Sequence, residues 1–342
     1  MEIRIPFDEL YGALRVAMLR LGFAEERAEL CARLFAETTR DGVYTHGLNR
    51  LPRFVASIQN GTLNVTARAE KTGGVGAFER WTGNRAAGNL SAHECMSRAV
   101  ELAAAHGIGC VALRDTNHWL RAGTYGWLAA DAGVIGMCWT NTMPNLVPWG
   151  GVERGIGNNP IVIAVPRLGS GETRGAHVVL DMAISQYSFG AIAGYIARGE
   201  QTPFDGGYDA AGNITRDPKL IEASQGGLPI GYWKGSGLSV LLDLTAAILS
   251  AGRATCELSD DPMKESGQSQ VFLAFDVKCF GDDESTERIA NEVVDALHAV
   301  KGRDGKQPRY PGEQTLKLRE ENMRLGVPVV EARWKELLEL VK

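Results

Sequence analysis

Apolar residues recur at a helical period at both ends of the chain and in short unbroken runs through its middle. Residues 7–21 place Leu10, Leu14, Ala17, Met18 and Leu21 on one face and stop at Gly22, and residues 24–39 repeat the pattern through Leu30, Leu34 and Phe35. Residues 48–59 predict a third helix, with Pro52 early in it, where a missing N–H costs little. At the far end, 314–325 and 332–341 predict two more, the last with Trp334, Leu337, Leu338 and Val341 on one face. Between them, Gly73, Gly74 and Gly76 within 69–81 predict a hairpin. Residues 85–106, 125–132, 190–198, 237–249 and 286–300 predict helices. The short apolar runs 108–113, 134–140, 161–165, 178–182 and 270–277 predict strands, and the polar stretch 167–176 a surface loop. The expected class is α+β. A helical domain is built from 1–68 and 301–342, and a central α+β domain with a mixed sheet and flanking helices spans 69–300. No linker, repeat or low-complexity segment interrupts it.

Composition narrows the partners. The 342 residues give room for two packed domains, and 44% hydrophobic with 23% charged residues is ordinary for a globular chain. A net charge of −5 with scattered basic residues argues against nucleic acid or an anionic membrane. Cys31, Cys95, Cys110, Cys138, Cys256 and Cys279 form no CxxC and sit in apolar patterns, so they read as reduced core residues of a cytoplasmic protein. The N-terminus is charged too early for a signal peptide, and no apolar run approaches the ~20 residues of a membrane span. The six histidines show no ligand spacing, so no metal is expected.

Candidate chemistry concentrates where the patterns break. In 38–54, TTRDGVYTHGLNRLPRF, the helical pattern stops at Asp41-Gly42 and resumes after His46-Gly47, leaving Thr45, His46, Asn49 and Arg50 side by side. An imidazole passes protons at neutral pH and a guanidinium grips a carboxylate with two hydrogen bonds. If the helix begins at Leu48, His46 and Arg50 lie four apart and face one side. A capped helix junction with a structural histidine fits the same residues. In 115–125, DTNHWLRAGTY, His118 follows a strand between Asn117 and Trp119, with Arg121 as a second anion partner; an ordinary loop histidine is the alternative. Thr140 and Thr142 follow another strand, where hydroxyls hold a ribose or simply make a turn. Asp181 ends a buried run, where a carboxylate is costly unless paired, bonded to a ligand or placed ahead of a helix. In PIGYWKGSG, 229–237, Lys234 among Gly231, Gly235 and Gly237 suits a pyrophosphate or a glycine-rich cap. RYPGEQT at 309–315 also leads into a helix. No GxGxxG stands in a strand–turn–helix context, and no GxxxxGK[ST] or HExxH occurs.

Together these segments resemble the type-2 malate/L-lactate dehydrogenase family, NAD(P)-dependent oxidoreductases whose cofactor domain is not a Rossmann fold. The resemblance is carried by DGVYTHGLNRLPRF at 41–54, HGIGCVALRDTNHWLRAGTYGW at 106–127, CWTN at 138–141, PWG at 148–150, FDGGYDAAGNIT at 204–215 and LPIGYWKGSGLS at 228–239. It runs from the first helices to about Trp334. It implies that His46 donates a proton, with His118 and Asp181 beside it in the catalytic site. It implies a substrate pocket of Thr45, Arg50, Asn117, Trp119, Arg121 and Thr142. It further implies that His177, Val178, Val179, Leu180, Asp181, Met182 and Ala183, with Trp233, Lys234, Gly312, Glu313 and Gln314, contact NAD(H) or NADP(H). A homodimer with the cofactor near its interface is implied as well. The NHW-x-R-x-G form at 117–123 points to a branch that reduces a 2-oxo sugar acid, 2,3-diketo-L-gulonate, at C2 to give 3-dehydro-L-gulonate. Malate, L-lactate, ureidoglycolate or a cyclic imino acid are the rival substrates, and a nucleotide-binding protein without turnover is the rival of another class. The sequence departs from the pattern at Thr45 and Thr142, where serines are common, in the longer 167–176 loop, and at Glu313-Gln314, where a His-Glu pair is usual.

Overall fold

The computed structural model describes residues 2–169, 175–279 and 281–342. The chain begins with β1 (Glu2–Ile5), α1 (Phe7–Arg20) and α2 (Glu25–Arg40), then a 3-10 turn (Leu48–Arg50) that runs into α3 (Leu51–Gln59). The hairpin β2 (Glu70–Val75) and β3 (Phe78–Thr82) is followed by α4 (Gly88–His106) and β4 (Ile108–Thr116). Next come α5 (Gly123–Asp131), β5 (Ile135–Thr140), β6 (Pro144–Leu146), β7 (Ile156–Gly157), β8 (Ile161–Val165) and β9 (Val178–Met182). After α6 (Phe189–Arg198), β10 (Gly207–Tyr208), β11 (Ile214–Thr215) and α7 (Pro218–Ser224), the long α8 (Trp233–Ser250) leads to β12 (Gln268–Phe275). The chain closes with α9 (Asp283–His298), α10 (Glu313–Leu325), β13 (Val327–Val330) and α11 (Glu331–Val341).

A seven-stranded mixed sheet, in the order β2-β3-β4-β12-β5-β8-β9, forms the middle layer. β3 and β4 run parallel because α4 carries the chain back between them, and the other pairs are antiparallel. One face is covered by α4 and α5, which bury Met96, Leu102, Tyr125 and Trp127 against Val111, Leu113 and Phe272. The other face takes α8, where Leu242 and Ala246 meet Ala112, Trp139 and Val271. Each large apolar side chain buried in this way contributes about 1.5–3 kcal/mol. Covering both faces explains why β5 reads as a continuous apolar run rather than as an alternating one.

A separate core joins the two ends of the chain. Leu10, Leu14, Met18, Phe35, Leu51 and Phe54 pack with Val327, Val329, Trp334 and Leu337, and β1 pairs antiparallel with β13 from Glu2↔Val330 to Ile5↔Val327. Neither short strand was expected, since four residues carry too little periodicity. Pro328 is tolerated because this sheet has only two strands. α7 and the small strand pairs were also not expected. α4 starts at Gly88 rather than 85, because Asn84 and Arg85 have positive φ (51° and 56°). Residues 170–174 of the expected loop lie outside the described residues. The cysteine expectation is corrected in part: Cys31, Cys95 and Cys138 are buried, but Cys256 and Cys279 are exposed.

Candidate active site

A cleft of about 740 Å³ opens between the end core and the sheet. Its walls come from the turn after α2, the loops after β4, β5 and β9, the start of β12, and Arg333 of α11. Sequence-distant segments therefore meet only at their ends, where backbone can leave regular hydrogen bonding and present side chains.

His46 is positioned by a tight turn. Gly42 (φ 84°) ends α2, Val43 N–H bonds Thr38 O, and His46 N–H bonds Val43 O. Thr39 Oγ1 accepts Leu48 N–H at 2.9 Å, so the turn folds back onto α2. Gly47 is required here: a Cβ would come 2.3 Å from Thr39 Oγ1 and 2.9 Å from Thr39 N. The nearness of His46 and Arg50 comes from this turn and the 3-10 segment, not from the α-helical spacing the sequence suggested. His46 Nδ1 lies 3.0 Å from Thr45 Oγ1, and its ring stacks on His118 with centroids 5.5 Å apart and planes 17° apart. His118 Nδ1 accepts Leu120 N–H at 3.1 Å, which leaves the His118 proton on Nε2. Leu120 takes φ 65°, a left-handed conformation that costs a leucine about 1–2 kcal/mol. Gly88 lets α4 approach this loop, since a Cβ there would strike Asn117 O at 1.9 Å.

The electrostatics keep both rings neutral. Burial, then Arg50 and Arg121, push His46 down to about 4, while Asp181 acts in the opposite sense. Burial, Arg50 and His46 hold His118 well below the usual imidazole range. Arg50 is not the free clamp that was expected: its Nη2 pairs with Glu265 Oε2, and Glu265 Oε1 accepts from Gln268 Nε2 at 3.0 Å. Arg121 is likewise engaged. Its Nη1 donates to Asp41 Oδ2 at 2.7 Å and its Nε lies 3.5 Å from Asp181 Oδ2. Asp41 also accepts from Arg40 Nε at 2.8 Å and from Arg319 at 3.0 and 2.8 Å. Burial alone would raise the Asp41 carboxyl; Arg319, Arg121 and Arg40 overcome it and hold the group at about 2. An ionic chain thus runs from Asp41 through Arg121 to Asp181 at the cleft.

Of the residues singled out in the sequence, Thr45, His46, Asn49, Arg50, His118, Trp119, Arg121, Thr140, Thr142, Asp181 and Ala183 border the cleft. Asn117 does not; its amide nitrogen donates to Arg85 O and Ala86 O, both at 2.9 Å. The Trp119 ring packs into the core against Tyr125 and Phe272, at 5.5 and 6.0 Å. Thr142 Oγ1 accepts Asn158 N–H at 2.8 Å and so ties two loops together. Sequence reading missed Asp41, Glu265, Gln268 and Gln270, along with Asn145 and Ser185. For the two glutamines a signal existed, since polar residues two apart in an apolar strand share a buried face.

The segments implied as cofactor contacts converge on β9. Val179 N–H donates to Pro311 O at 2.8 Å, and Ile230 N–H donates to Ile184 O at 2.8 Å. Gly312 (φ 98°) packs so closely that a Cβ would lie 3.2 Å from His177 O and Val179 N. Alternation along the strand then turns the Asp181 N–H and C=O to the same edge as Val179 N–H, the one away from β8. His177 faces inward, with Nε2 3.0 Å from Asp131 Oδ1 and Nδ1 accepting Arg167 N–H at 2.9 Å. Val178, Leu180 and Met182 complete the strand. Lys234 stands differently from expectation. It lies in the first turn of α8, exposed beside Trp233, and the N–H groups of Lys234, Gly235 and Ser236 already bond Gly231, Ile230 and Tyr232 carbonyls. The glycines therefore do not aim these N–H groups at an anion; the lysine side chain remains. Glu313 bonds His298 Nε2 at 3.0 Å and Lys317 Nζ at 2.6 Å, and Gln314 Oε1 bonds Arg309.

A nicotinamide cofactor fits these residues. Asn145 Oδ1 and Ser185 Oγ border the cleft, buried and without partners. A carboxamide and ribose hydroxyls supply the donors they lack. Among the described residues no group of three or more His, Cys, Asp or Glu could hold a metal ion, and no helix is long and apolar enough to cross a membrane.

Comparison with known proteins agrees with this geometry. A profile of the malate/L-lactate dehydrogenase family matches residues 5–338. The chain is 40% identical over 336 residues to 2,3-diketo-L-gulonate reductase of Citrobacter koseri, covering 98% of this chain and 99% of that one. Malate dehydrogenase from Pyrococcus horikoshii OT3 superposes with a TM-score of 0.88 at 27% identity, over 99% of this chain and 94% of that one. Delta1-piperideine-2-carboxylate reductase from Pseudomonas syringae gives 0.87 at 26% identity, over 99% of each chain. The mixed sheet with flanking helices is the fold of these dehydrogenases. A match over nearly the whole length leaves no ambiguity of class: the chain is an oxidoreductase and belongs to the malate/L-lactate dehydrogenase family, whose members depend on NAD(P).

Proposed function

We propose that this enzyme reduces the C2 ketone of 2,3-diketo-L-gulonate to 3-dehydro-L-gulonate, with NADH as reductant and His46 as proton donor. The observation that carries the reading is the convergence of His46, His118, Arg50, Arg121 and Asp181 on one cleft beside the end of β9. The 40% identity to a reductase named for that substrate supports it. When bound, the dinucleotide supplies the hydride. Negative charge then builds on the carbonyl oxygen, and the protonated His46 neutralises it, a contribution of about 10²–10⁴ in rate. Asp181 favours the imidazolium. His118, neutral with its proton on Nε2, donates a hydrogen bond toward the substrate. Arg50 exchanges part of its pairing with Glu265 for the substrate carboxylate and fixes the pose. The balance is ketone, NADH and one proton to alcohol and NAD⁺.

The same proposal assigns cofactor contact to 177–183, Trp233-Lys234 and 312–314, in a cytoplasmic homodimer. Leu238, Leu241, Leu244 and Ile248 form an exposed apolar stripe on α8, which supports burial against a second copy. The units 1–68 with 301–342 and 69–300 then meet at the cleft, in keeping with the separate end core. The test is loss of the reduced nicotinamide absorbance with 2,3-diketo-L-gulonate, run beside pyruvate and oxaloacetate. Faster turnover of the diketo acid is expected, and His46→Ala should lower kcat far more than it weakens NADH binding. Activity confined to pyruvate or oxaloacetate overturns the sugar-acid assignment, and equal losses in kcat and NADH affinity overturn the role of His46.

A further inference from the structure

Gln268 and Gln270 lie two apart on β12, with side chains almost wholly buried, and both border the cleft. Their amide nitrogens are engaged, Gln268 Nε2 with Glu265 Oε1 at 3.0 Å and Gln270 Nε2 with Asn117 O at 3.5 Å. Their carbonyl oxygens are buried without a partner. Buried acceptors of this kind are uncommon and call for a donor. A ketone or a carboxylate has none to give, whereas a hydroxyl has. The Glu265 carboxylate beside them is one more acceptor, held against Arg50. This wall of the cleft therefore accepts O–H groups and opposes a second carboxylate.

We propose that Gln268 and Gln270 are specificity-determining residues that read the hydroxylated tail of the 2-oxo acid. The inference rests on the reductase reading and deepens it by assigning the residues that separate a polyhydroxy acid from lactate-like and malate-like substrates. A hydroxyl seated on such an acceptor is discriminated strongly, because the analogue lacking it leaves the buried oxygen unpaired.

The test compares kcat/KM for 2,3-diketo-L-gulonate, 3-hydroxypyruvate and pyruvate in the wild type and in Gln268→Met and Gln270→Met, which preserve volume. The expected loss is about 10–100-fold with the diketo sugar acid, less with hydroxypyruvate, and at least tenfold smaller with pyruvate than with the sugar acid. Equal losses on all three substrates, or none, overturn the assignment while leaving sugar-acid turnover by the wild type intact; ordered water would then satisfy both acceptors. A wild type that reduces pyruvate but neither hydroxylated acid removes the sugar-acid reading and this inference with it. A second measurement needs no variant: L-threonate should inhibit the wild type at a concentration at least tenfold lower than butyrate does. Equal inhibition by the two overturns the proposal.

Discussion

The depressed His46 predicts that acid binding and proton uptake are linked. With a pKa of about 4 in the empty cleft, only about one ring in a thousand is protonated at pH 7, and charging it there costs about 4 kcal/mol at 1.36 kcal/mol per unit. A substrate carboxylate about 5 Å from the ring, at an effective dielectric of about 20, returns roughly 3 kcal/mol. That offsets most of the cost and raises His46 in the complex toward the ordinary imidazole range. The sign follows from the direction of catalysis. If His46 is the proton donor, as proposed, reduction needs the charged ring, so kcat/KM, which reports the free enzyme, should fall about tenfold per pH unit from roughly pH 5 upward. kcat reports the complex and holds to a higher pH than kcat/KM before it falls. Oxidation needs the neutral ring, and its kcat/KM stays level above roughly pH 5. Calorimetric titration with oxamate and bound NADH, in two buffers of different ionisation enthalpy, should show net proton uptake near pH 6. His46→Gln should take up none. Equal uptake by the two proteins, or kcat and kcat/KM for reduction breaking at the same pH, would refute the linkage.

Asp41→Asn leaves Arg40, Arg121 and Arg319 without their shared carboxylate, two of the four groups being almost fully buried. The expected loss of stability is about 3–5 kcal/mol, read as a lower urea midpoint with unchanged slope. Gly123→Ala would place a Cβ 2.5 Å from Asp181 Oδ2, 2.9 Å from its Cγ and 3.0 Å from its Cβ. The Asp181 side chain must be displaced, so kcat for reduction should fall at least tenfold; a variant with normal kcat would contradict this. Glu265→Gln frees Arg50 and removes a negative charge from the wall, so KM for oxaloacetate should fall about tenfold, equivalent to about 1.4 kcal/mol, and a higher KM would contradict it.

Legibility in the sequence followed the range of the forces involved. β8 and β9 were readable to the residue, because a short apolar run between breakers carries its own signal. β1 and β13 were not, since each exists only through pairing between Ile5 and Val327, at opposite ends of the chain. At the site, His46 and His118 were readable from their position at pattern breaks, while their mutual stacking was not. Asp41 looked like the end of a helix before a glycine. Its function appears only when α10 delivers Arg319 and the loop after β4 delivers Arg121.

This last residue shows how the two cores act on one proton. Among the charges acting on His46, Asp181 favours the charged ring, while Arg50 and Arg121 oppose it. Arg121 stands between two carboxylates, with a 2.7 Å bond to Asp41 and a looser 3.5 Å approach to Asp181. The strong bond on the far side keeps Arg121 from closing on Asp181. Remove Asp41, and the guanidinium is free to form its full pair with Asp181, which would cancel the negative charge that supports the imidazolium. On the proposed role of His46, a residue that never touches the cleft would thus tune the strength of its acid, and it would do so from beside the helical core formed by the two ends of the chain.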